Sequence, residues 1–318
     1  MSPTKPLLLH RLEDSSTVDL TVVIPAYNET ERLPEMMAAT IKHLTTTTTT
    51  TTSSAAVEGG GLKKGDKNKR TFEILVVDDG SQDGTSLTAL QLAHKYSTCD
   101  IKVVTLEKNV GKGGAVRHGM LYGGGERLLM ADADGASRIE DLEELWKKMD
   151  EIAPNNDPGV VVGSRAHLVK SEAVVKVCFF FLSDFLMKTR IDFSPSPFFQ
   201  RSFLRNVLMY GLHTVLRIVG VGHIRDTQCG FKLFSRSAAQ QIFPAQHLPT
   251  WIFDVELLLL AKQLRIPVAE VPIEWHEVAG SKLNVVTASL QMLRDLLIVR
   301  ANHLLGRWTA TPKKLKSE

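Results

Sequence analysis

Three apolar runs in this 318-residue chain close on carboxylates: Val-Val-Ile-Pro-Ala-Tyr-Asn-Glu at 22–29, Val-Val-Asp-Asp-Gly-Ser at 76–81 and Leu-Met-Ala-Asp-Ala-Asp-Gly at 129–135. An open α/β sheet delivers its ligand-binding groups to the carboxyl ends of its strands, so each run reads as a strand with a chemical group at its tip. Asp132 and Asp134 flank one small residue. That spacing lets two hard oxygen ligands approach one divalent cation, Mg²⁺ or Mn²⁺, whose other positions hold phosphate oxygens and water. A cation held this way would neutralise a leaving diphosphate as Lewis acid and template, and the combination predicts a sugar-nucleotide site.

Pro25, Tyr27 and Glu29 follow the first run, and Asp78 and Asp79 end the second. A uracil base needs an aromatic or apolar wall with donors and acceptors along its edge, and a carboxylate can hold its N3–H or a ribose hydroxyl. Each residue also has a plainer reading, since Asp-Asp-Gly-Ser is a common turn with a helix cap and Tyr27 could be packing. Their joint position at adjacent strand ends favours binding. Asn-Val-Gly-Lys-Gly-Gly-Ala at 109–115 resembles a phosphate loop but lacks the full pattern of a nucleotide hydrolase. Lys112, beside a helix N-terminus, suits an anionic group, while the glycines could equally serve close packing.

Gly163-Ser164-Arg165 ends another run, and residues 225–232 carry Arg225, Asp226, Gln228 and Lys232 within eight positions. Arginine offers a planar bidentate fork for phosphate and lysine a point charge, although salt-bridged loops produce similar strings. Asp254 and Glu256 open an apolar helix, where acids are favourable for dipole reasons alone.

The elements that must position these groups alternate. Strands are predicted at 20–25, 72–78, 101–106, 127–132 and 159–163, with helices at 30–44, 83–96, 112–122 and 139–149. That order predicts a Rossmann-like α/β fold whose parallel sheet carries helices on both faces. The threonine run from 45 to 52, continued by Ser, Ala, Gly and Lys to Arg70, reads as a disordered surface loop. Past Arg165 the pattern changes: 177–200 mixes prolines and phenylalanines, and 203–221 and 285–305 read as mostly apolar helices that keep Arg205, Arg217, Arg294 and Arg300. Such helices lie on a membrane more readily than they cross it, and ordinary core helices are the alternative.

Composition bounds the rest. With 43% hydrophobic and 23% charged residues the chain can bury a large core, expected as one domain over 20–276 with a tail at 1–19 and a C-terminal appendage at 277–318. A net charge of +3 is too small to argue for nucleic acid. Cys99, Cys178 and Cys229 have no metal-ligand spacing and read as free thiols in a reducing compartment. Residues 1–19 hold only one short apolar run, too little for a signal-peptide core or a span, so no anchor is expected there. The Asn28-Glu29-Thr30 sequon falls inside the first strand-end motif, where a glycan would block the site.

Taken together, Met-Ala-Asp-Ala-Asp-Gly-Ala (130–136), Gly-Ser-Arg-Ala-His-Leu (163–168), Arg-Asp-Thr-Gln-Cys-Gly-Phe-Lys-Leu-Phe (225–234) and Phe-Asp-Val-Glu-Leu-Leu (253–258) resemble the family-two inverting glycosyltransferases of the GT-A type. The similarity runs from Leu20 to Trp308. It implies a GT-A type, mixed and mostly parallel sheet, and transfer of glucose from UDP-glucose to dolichyl phosphate at the cytosolic face of the endoplasmic reticulum membrane; a polyprenyl-phosphate mannosyl- or other hexosyltransferase, or a catalytically impaired nucleotide-sugar-binding variant, is the alternative. By this resemblance Pro25, Tyr27, Glu29 and Asp79 would hold the nucleoside, Asp132 and Asp134 the divalent cation, Gln228 and Lys232 the diphosphate, and Arg165 the acceptor phosphate. Asp254 would be a base or an orienter. Three features depart from the family pattern: the N-terminal membrane anchor that the resemblance implies has no counterpart in residues 1–19, the 45–70 loop is longer than usual, and the 177–200 segment reads as an insertion.

Overall fold

The computed structural model describes residues 10–50, 70–170, 225–278 and 285–308. The expected insertion at 177–200 and the helix at 203–221, with Cys178, Arg205 and Arg217, lie outside them. In chain order the main elements are β1 (Val18–Ala26), α1 (Leu33–Thr50), β2 (Phe72–Asp78), α2 (Thr85–Lys95), β3 (Asp100–Thr105), α3 (Lys112–Leu121), β4 (Gly125–Ala131), α4 (Leu142–Ile152), β5 (Val160–Ser164), β6 (Phe231–Ser235), α5 (Arg236–Ile242), α6 (Phe253–Gln263), β7 (Val268–Pro272) and α7 (Val285–Leu304).

The strands form one sheet in the order β3-β2-β1-β4-β6-β5-β7. β1 lies parallel between β2 and β4, and β2 parallel to β3. β6 runs antiparallel to both β4 and β5, while β5 and β7 are parallel. The sheet is therefore mixed and mostly parallel. The chain steps outward from β1 to β3 through α1 and α2 and returns to β4 through α3, so right-handed crossovers put α3 on the opposite face from α1 and α2. Consistently, α1 packs on α2, while α3 packs on β1, β2 and α5.

The core is continuous through the central strands, where Val22, Val23, Ile24, Ile74, Val76, Leu128 and Met130 are fully buried. The buried carboxylate near the start of β2, Glu73, is satisfied. Glu73 Oε1 accepts from Thr21 Oγ1 at 2.6 Å and from the Gly124 amide at 2.5 Å, and Lys102 Nζ donates to Oε2. Burial alone would raise this carboxyl; the bonds from Lys102, Thr21 and Gly124 hold it below its ordinary range.

Two expectations change. The helix predicted to stop at 44 runs to Thr50, so the first threonines prolong it rather than begin a loop. Adding residues to a formed helix costs little, and Thr45 Oγ1 donates to the Ile41 carbonyl at 2.7 Å, removing a hydroxyl that would compete with the helix. The remainder of the predicted loop, 51–69, lies outside the described residues. β6 was not visible in the alternation, because all five of its residues are buried and no inside-outside pattern marks it.

α7 docks by one face. Asp295, Leu296 and Val299 are buried, Arg294 is exposed, and Thr250 Oγ1 donates to Asp295 Oδ2 at 2.6 Å. Among the described residues no helix is long and apolar enough to cross a membrane.

Candidate active site

β4 ends at Ala131 and releases the chain into Asp132, a buried Ala133, Asp134 and a turn at Gly135, whose φ of 70° suits glycine. The Ala136 amide donates to Asp134 Oδ1 at 3.0 Å. Asp132 turns toward the end of β6, and a Cβ on Gly230 would come within 1.9 Å of its Oδ2. Only a glycine at 230 leaves room for that carboxylate. Asp132 meets Lys112, the first residue of α3, whose Nζ donates to Oδ2 at 2.9 Å and lies 2.7 Å from Oδ1. The Oδ1 approach lacks hydrogen-bond geometry, so this buried oxygen has a charge contact but no hydrogen bond.

These oxygens fit a divalent cation. Asp132 keeps an acceptor that the fold does not fill, and both side chains supply the hard oxygens that Mg²⁺ and Mn²⁺ prefer. Among the described residues no three His, Cys, Asp or Glu side chains could hold a metal by themselves, so phosphate oxygens and water would have to complete the shell. Glu29 stands near this pair. Burial raises its carboxyl, with Asp134 and Asp132 pushing the same way, while Arg32 opposes through bonds of 2.7 and 2.5 Å.

The loops after β1 and β2 are tied to each other. The Asn28 amide donates to Ser81 Oγ at 2.9 Å, the Gln82 amide to Asn28 Oδ1 at 2.9 Å, and the Glu29 amide to Thr85 Oγ1 at 2.8 Å. Asn28 takes a left-handed φ of 57° to do this. The result presents Tyr27, 44% exposed, above Pro25, which is buried in β1 opposite Val77.

Asp78 and Asp79 face inward. Asp78 Oδ1 accepts from the Ser81 amide at 3.0 Å and Oδ2 from Ser86 Oγ. Asp79 accepts from the Val110 amide at 2.7 Å and the Gly111 amide at 2.9 Å, which ties the tip of β2 to the loop that carries Lys112. Burial raises Asp79 and the two amides pull it back. Both carboxylates are thus engaged by the fold.

Arg165 follows β5 and is gripped by Asp226: Nε and Nη2 donate to its two oxygens at 2.7 and 2.8 Å, and the Arg165 amide adds a third bond at 2.9 Å. The guanidinium also lies 5.5 Å from the ring centre of Trp275. Burial works against the Asp226 carboxylate, and the Arg165 bonds outweigh it, holding its pKa below the ordinary value. Gln228, half-buried, lies on the stretch between Asp226 and β6.

The resemblance implies Lys232 near the diphosphate and Asp254 as a base or an orienter. Lys232 is fully buried, donating to Asp254 Oδ1 at 2.6 Å and to the Cys229 carbonyl at 2.5 Å. Burial raises Asp254, and Lys232 and Lys112 draw it back down. The neighbouring Glu256, also fully buried, accepts from the His247 and Leu248 amides at 2.9 and 2.7 Å and shapes the approach to α6. Cys99 and Cys229 are free thiols, and burial pushes Cys229 up to about 12, so it stays protonated at neutral pH.

The structure therefore brings together Asp132, Asp134, Lys112 and Glu29, and sets Asp78, Asp79, Lys232 and Asp254 behind them. Two contributors were not singled out from the sequence. Gly230 was hidden because a steric vacancy leaves no local pattern, and Trp251, whose ring centre is 5.5 Å from Lys112 Nζ, looked like part of an apolar helix start. Asp226 stood in plain view, but its partner is 61 residues away.

Residues 21–243 match the model of the family described as glycosyl transferase family 2. The chain is 40% identical over 304 residues to a dolichyl-phosphate beta-glucosyltransferase from Dictyostelium discoideum, covering 95% of this chain and 80% of that one. The protein of the same name from Homo sapiens is 40% identical over 300 residues, 93% of this chain and 79% of its own. Among solved structures, glucosyl-3-phosphoglycerate synthase from Mycobacterium tuberculosis, in complex with Mn²⁺, UDP-glucose and phosphoglyceric acid, has a TM-score of 0.51 and covers 90% of this chain and 80% of that one. At 15% identity that likeness is one of fold alone. A family model over most of the sheet and relatives over nearly the whole length leave one assignment: the chain belongs to glycosyl transferase family 2 and is a glycosyltransferase.

Proposed function

We propose that this protein transfers glucose from UDP-glucose to dolichyl phosphate with inversion, giving dolichyl β-D-glucosyl phosphate, a glucose donor for protein N-glycosylation. The observation that carries the reading is the strand-end pair Asp132 and Asp134, kept clear by Gly230, in a chain 40% identical to dolichyl-phosphate beta-glucosyltransferases over 95% of its length.

In this reading Tyr27 walls the uracil, with Pro25 as the floor beneath it, and Glu29 reaches a donor on the nucleoside. Asp79 contributes by holding the loop before α3. Asp132 and Asp134 hold a divalent cation, Mg²⁺ or Mn²⁺, which when bound neutralises charge on the leaving diphosphate. Lys112 and Gln228 border that diphosphate, and Lys232 acts from behind through Asp254.

Arg165, oriented by Asp226 and Trp275, binds the acceptor phosphate. A phosphate monoester has a second pKa of about 6, so the acceptor is largely dianionic at neutral pH and needs no strong protein base. This agrees with the Lys232 bond that already occupies Asp254, whose part is to orient the site. The protein's contribution is positioning and charge stabilisation for in-line attack on the anomeric carbon.

Because the acceptor is a lipid, the site works within reach of a headgroup layer, proposed here as the cytosolic face of the endoplasmic reticulum. α7 offers Arg294 and Leu297 outward for peripheral contact, and the turn after it offers Leu305. The test is transfer of labelled glucose from UDP-glucose to dolichyl phosphate with Mg²⁺ or Mn²⁺ present. Formation of labelled dolichyl glucosyl phosphate supports the reading, whereas no product from UDP-glucose alongside product from GDP-mannose overturns it.

A further inference from the structure

We propose that Lys112 is a resident counter-ion that keeps the Asp132–Asp134 pair closed to a free divalent cation, so that the protein admits the cation together with a nucleotide diphosphate. The inference rests on the reading that these two carboxylates hold the cation, and it adds when they do so. Its first ground is contact: Lys112 Nζ lies 2.7 and 2.9 Å from the two oxygens of Asp132, meeting the same atoms that a metal would need.

A second ground is how firmly the lysine is rooted. It is the first residue of α3, and the preceding Val110 and Gly111 amides are both bonded to Asp79 at the tip of β2. The stem therefore leaves a fixed point, and only the ammonium has freedom. A lysine head is a compact charge with three rotatable donors, so it can pass from a carboxylate to a phosphate oxygen without reorienting a plane. The ring of Trp251, centred 5.5 Å from Nζ and 39% exposed, gives the ammonium an aromatic face beside that path.

Charge balance is the third ground. Asp132, Asp134 and Asp254 act on Lys112, and Lys232 is bonded to Asp254, so three carboxylates face two ammonium groups and leave one negative charge. The Glu29–Arg32 pair adds nothing to that balance. A divalent cation entering alone would reverse the sign of a site in which Lys112 is already held. The same cation accompanied by a diphosphate carrying two negative charges leaves the balance where it was, and gives Lys112 a new anionic partner. Binding of metal and nucleotide is then positively coupled, and the coupling is the same from either side.

The experiment measures Mn²⁺ affinity by the loss of the free-ion electron paramagnetic resonance signal, with and without UDP, in the wild type and in Lys112→Met, Lys112→Gln and Lys112→Arg. Wild type is expected to bind Mn²⁺ at least about tenfold more tightly with UDP than alone, within the usual range of coupling between sites. Lys112→Met and Lys112→Gln should tighten binding of Mn²⁺ alone by about tenfold and shrink the effect of UDP, while Lys112→Arg, which keeps the charge, should leave Mn²⁺ alone weak. Measuring both neutral variants keeps the comparison if one does not fold. If they bind Mn²⁺ alone as weakly as the wild type while UDP still tightens binding in the wild type, the counter-ion role is overturned and the metal site stands. If Mn²⁺ binds the wild type under neither condition, both fall.

Discussion

Two pairs of carboxylates stand at the tips of β2 and β4, the strands on either side of β1, and the fold uses them in opposite ways. Asp78 and Asp79 receive a hydroxyl and three backbone amides, and little of either is exposed. Asp132 meets a lysine ammonium and keeps one buried oxygen without a hydrogen bond, and Asp134 spends one oxygen on the Ala136 amide. A buried carboxylate that accepts from backbone amides ties the fold together, because removing it strands buried donors. One whose charge is met only by a movable side chain is a ligand site. The first pair still serves the second, since Asp79 fixes the loop from which Lys112 extends.

The largest expected effect tests the pair after β4. Asp132→Asn should lower glucose transfer by roughly a thousandfold, the scale of losing a principal stabiliser of transition-state charge, with a melting temperature close to that of the wild type. Steady-state transfer assays beside thermal melts check this, and full activity in excess chelator would end the metal reading. Gly230→Ala should reproduce much of that loss without removing a charge, since its Cβ would fall 1.9 Å from Asp132 Oδ2 and displace the carboxylate. We expect a fall of about a hundredfold, in keeping with the cost of a misplaced catalytic group, and weaker UDP-dependent Mn²⁺ binding. An unaffected Gly230→Ala enzyme would mean that the carboxylate works from another position.

Arg165 adds a third kind of site residue, a cation held by a carboxylate and proposed to meet the acceptor phosphate. Arg165→Lys keeps the charge but loses the two-pronged grip of Asp226, so the KM for dolichyl phosphate should rise about tenfold while that for UDP-glucose changes little. Equal rises for both substrates would move Arg165 away from the acceptor. The smallest effect on catalysis is expected at the structural pair. Asp79→Asn leaves one of the Val110 and Gly111 amides facing another donor, which should cost about 1–3 kcal/mol of stability and reduce transfer only severalfold through the loosened loop. Chemical denaturation measures this, and a variant as stable as the wild type that has lost UDP binding would erase the distinction between the two pairs.

Much of the first half of the sheet is legible residue by residue. The apolar runs that become β1, β2 and β4 stop where their carboxylates begin, and the observed strands differ from the predicted ones by one or two residues because the ladder partners decide the last pairing. The second half is less so. β6 has a fully buried lysine as its second residue, and a strand pattern does not admit a charge inside unless its partner, here Asp254, is known. Thr45 illustrates the converse: composition suggested a break, while its hydroxyl bond to Ile41 and the helix already formed behind it carried α1 onward.

What the sequence by itself determined is the kind of protein: alternating elements, acids at the strand tips, and strings long enough to identify a family-two glycosyltransferase. Those features are local, since hydrophobic periodicity and turn chemistry act over a few residues and a motif carries its neighbours with it. Only the tertiary structure decided which acids are free to act. Asp79 is tied to amides about thirty residues on, Asp254 is bonded to a lysine from β6, Arg165 is oriented by an aspartate beyond a long connection, and Asp132 is kept available by the missing side chain of Gly230. The fate of a carboxylate depends on which donors and charges come within about 3 Å of it, and such contacts are made by the folded sheet rather than by neighbours in the chain.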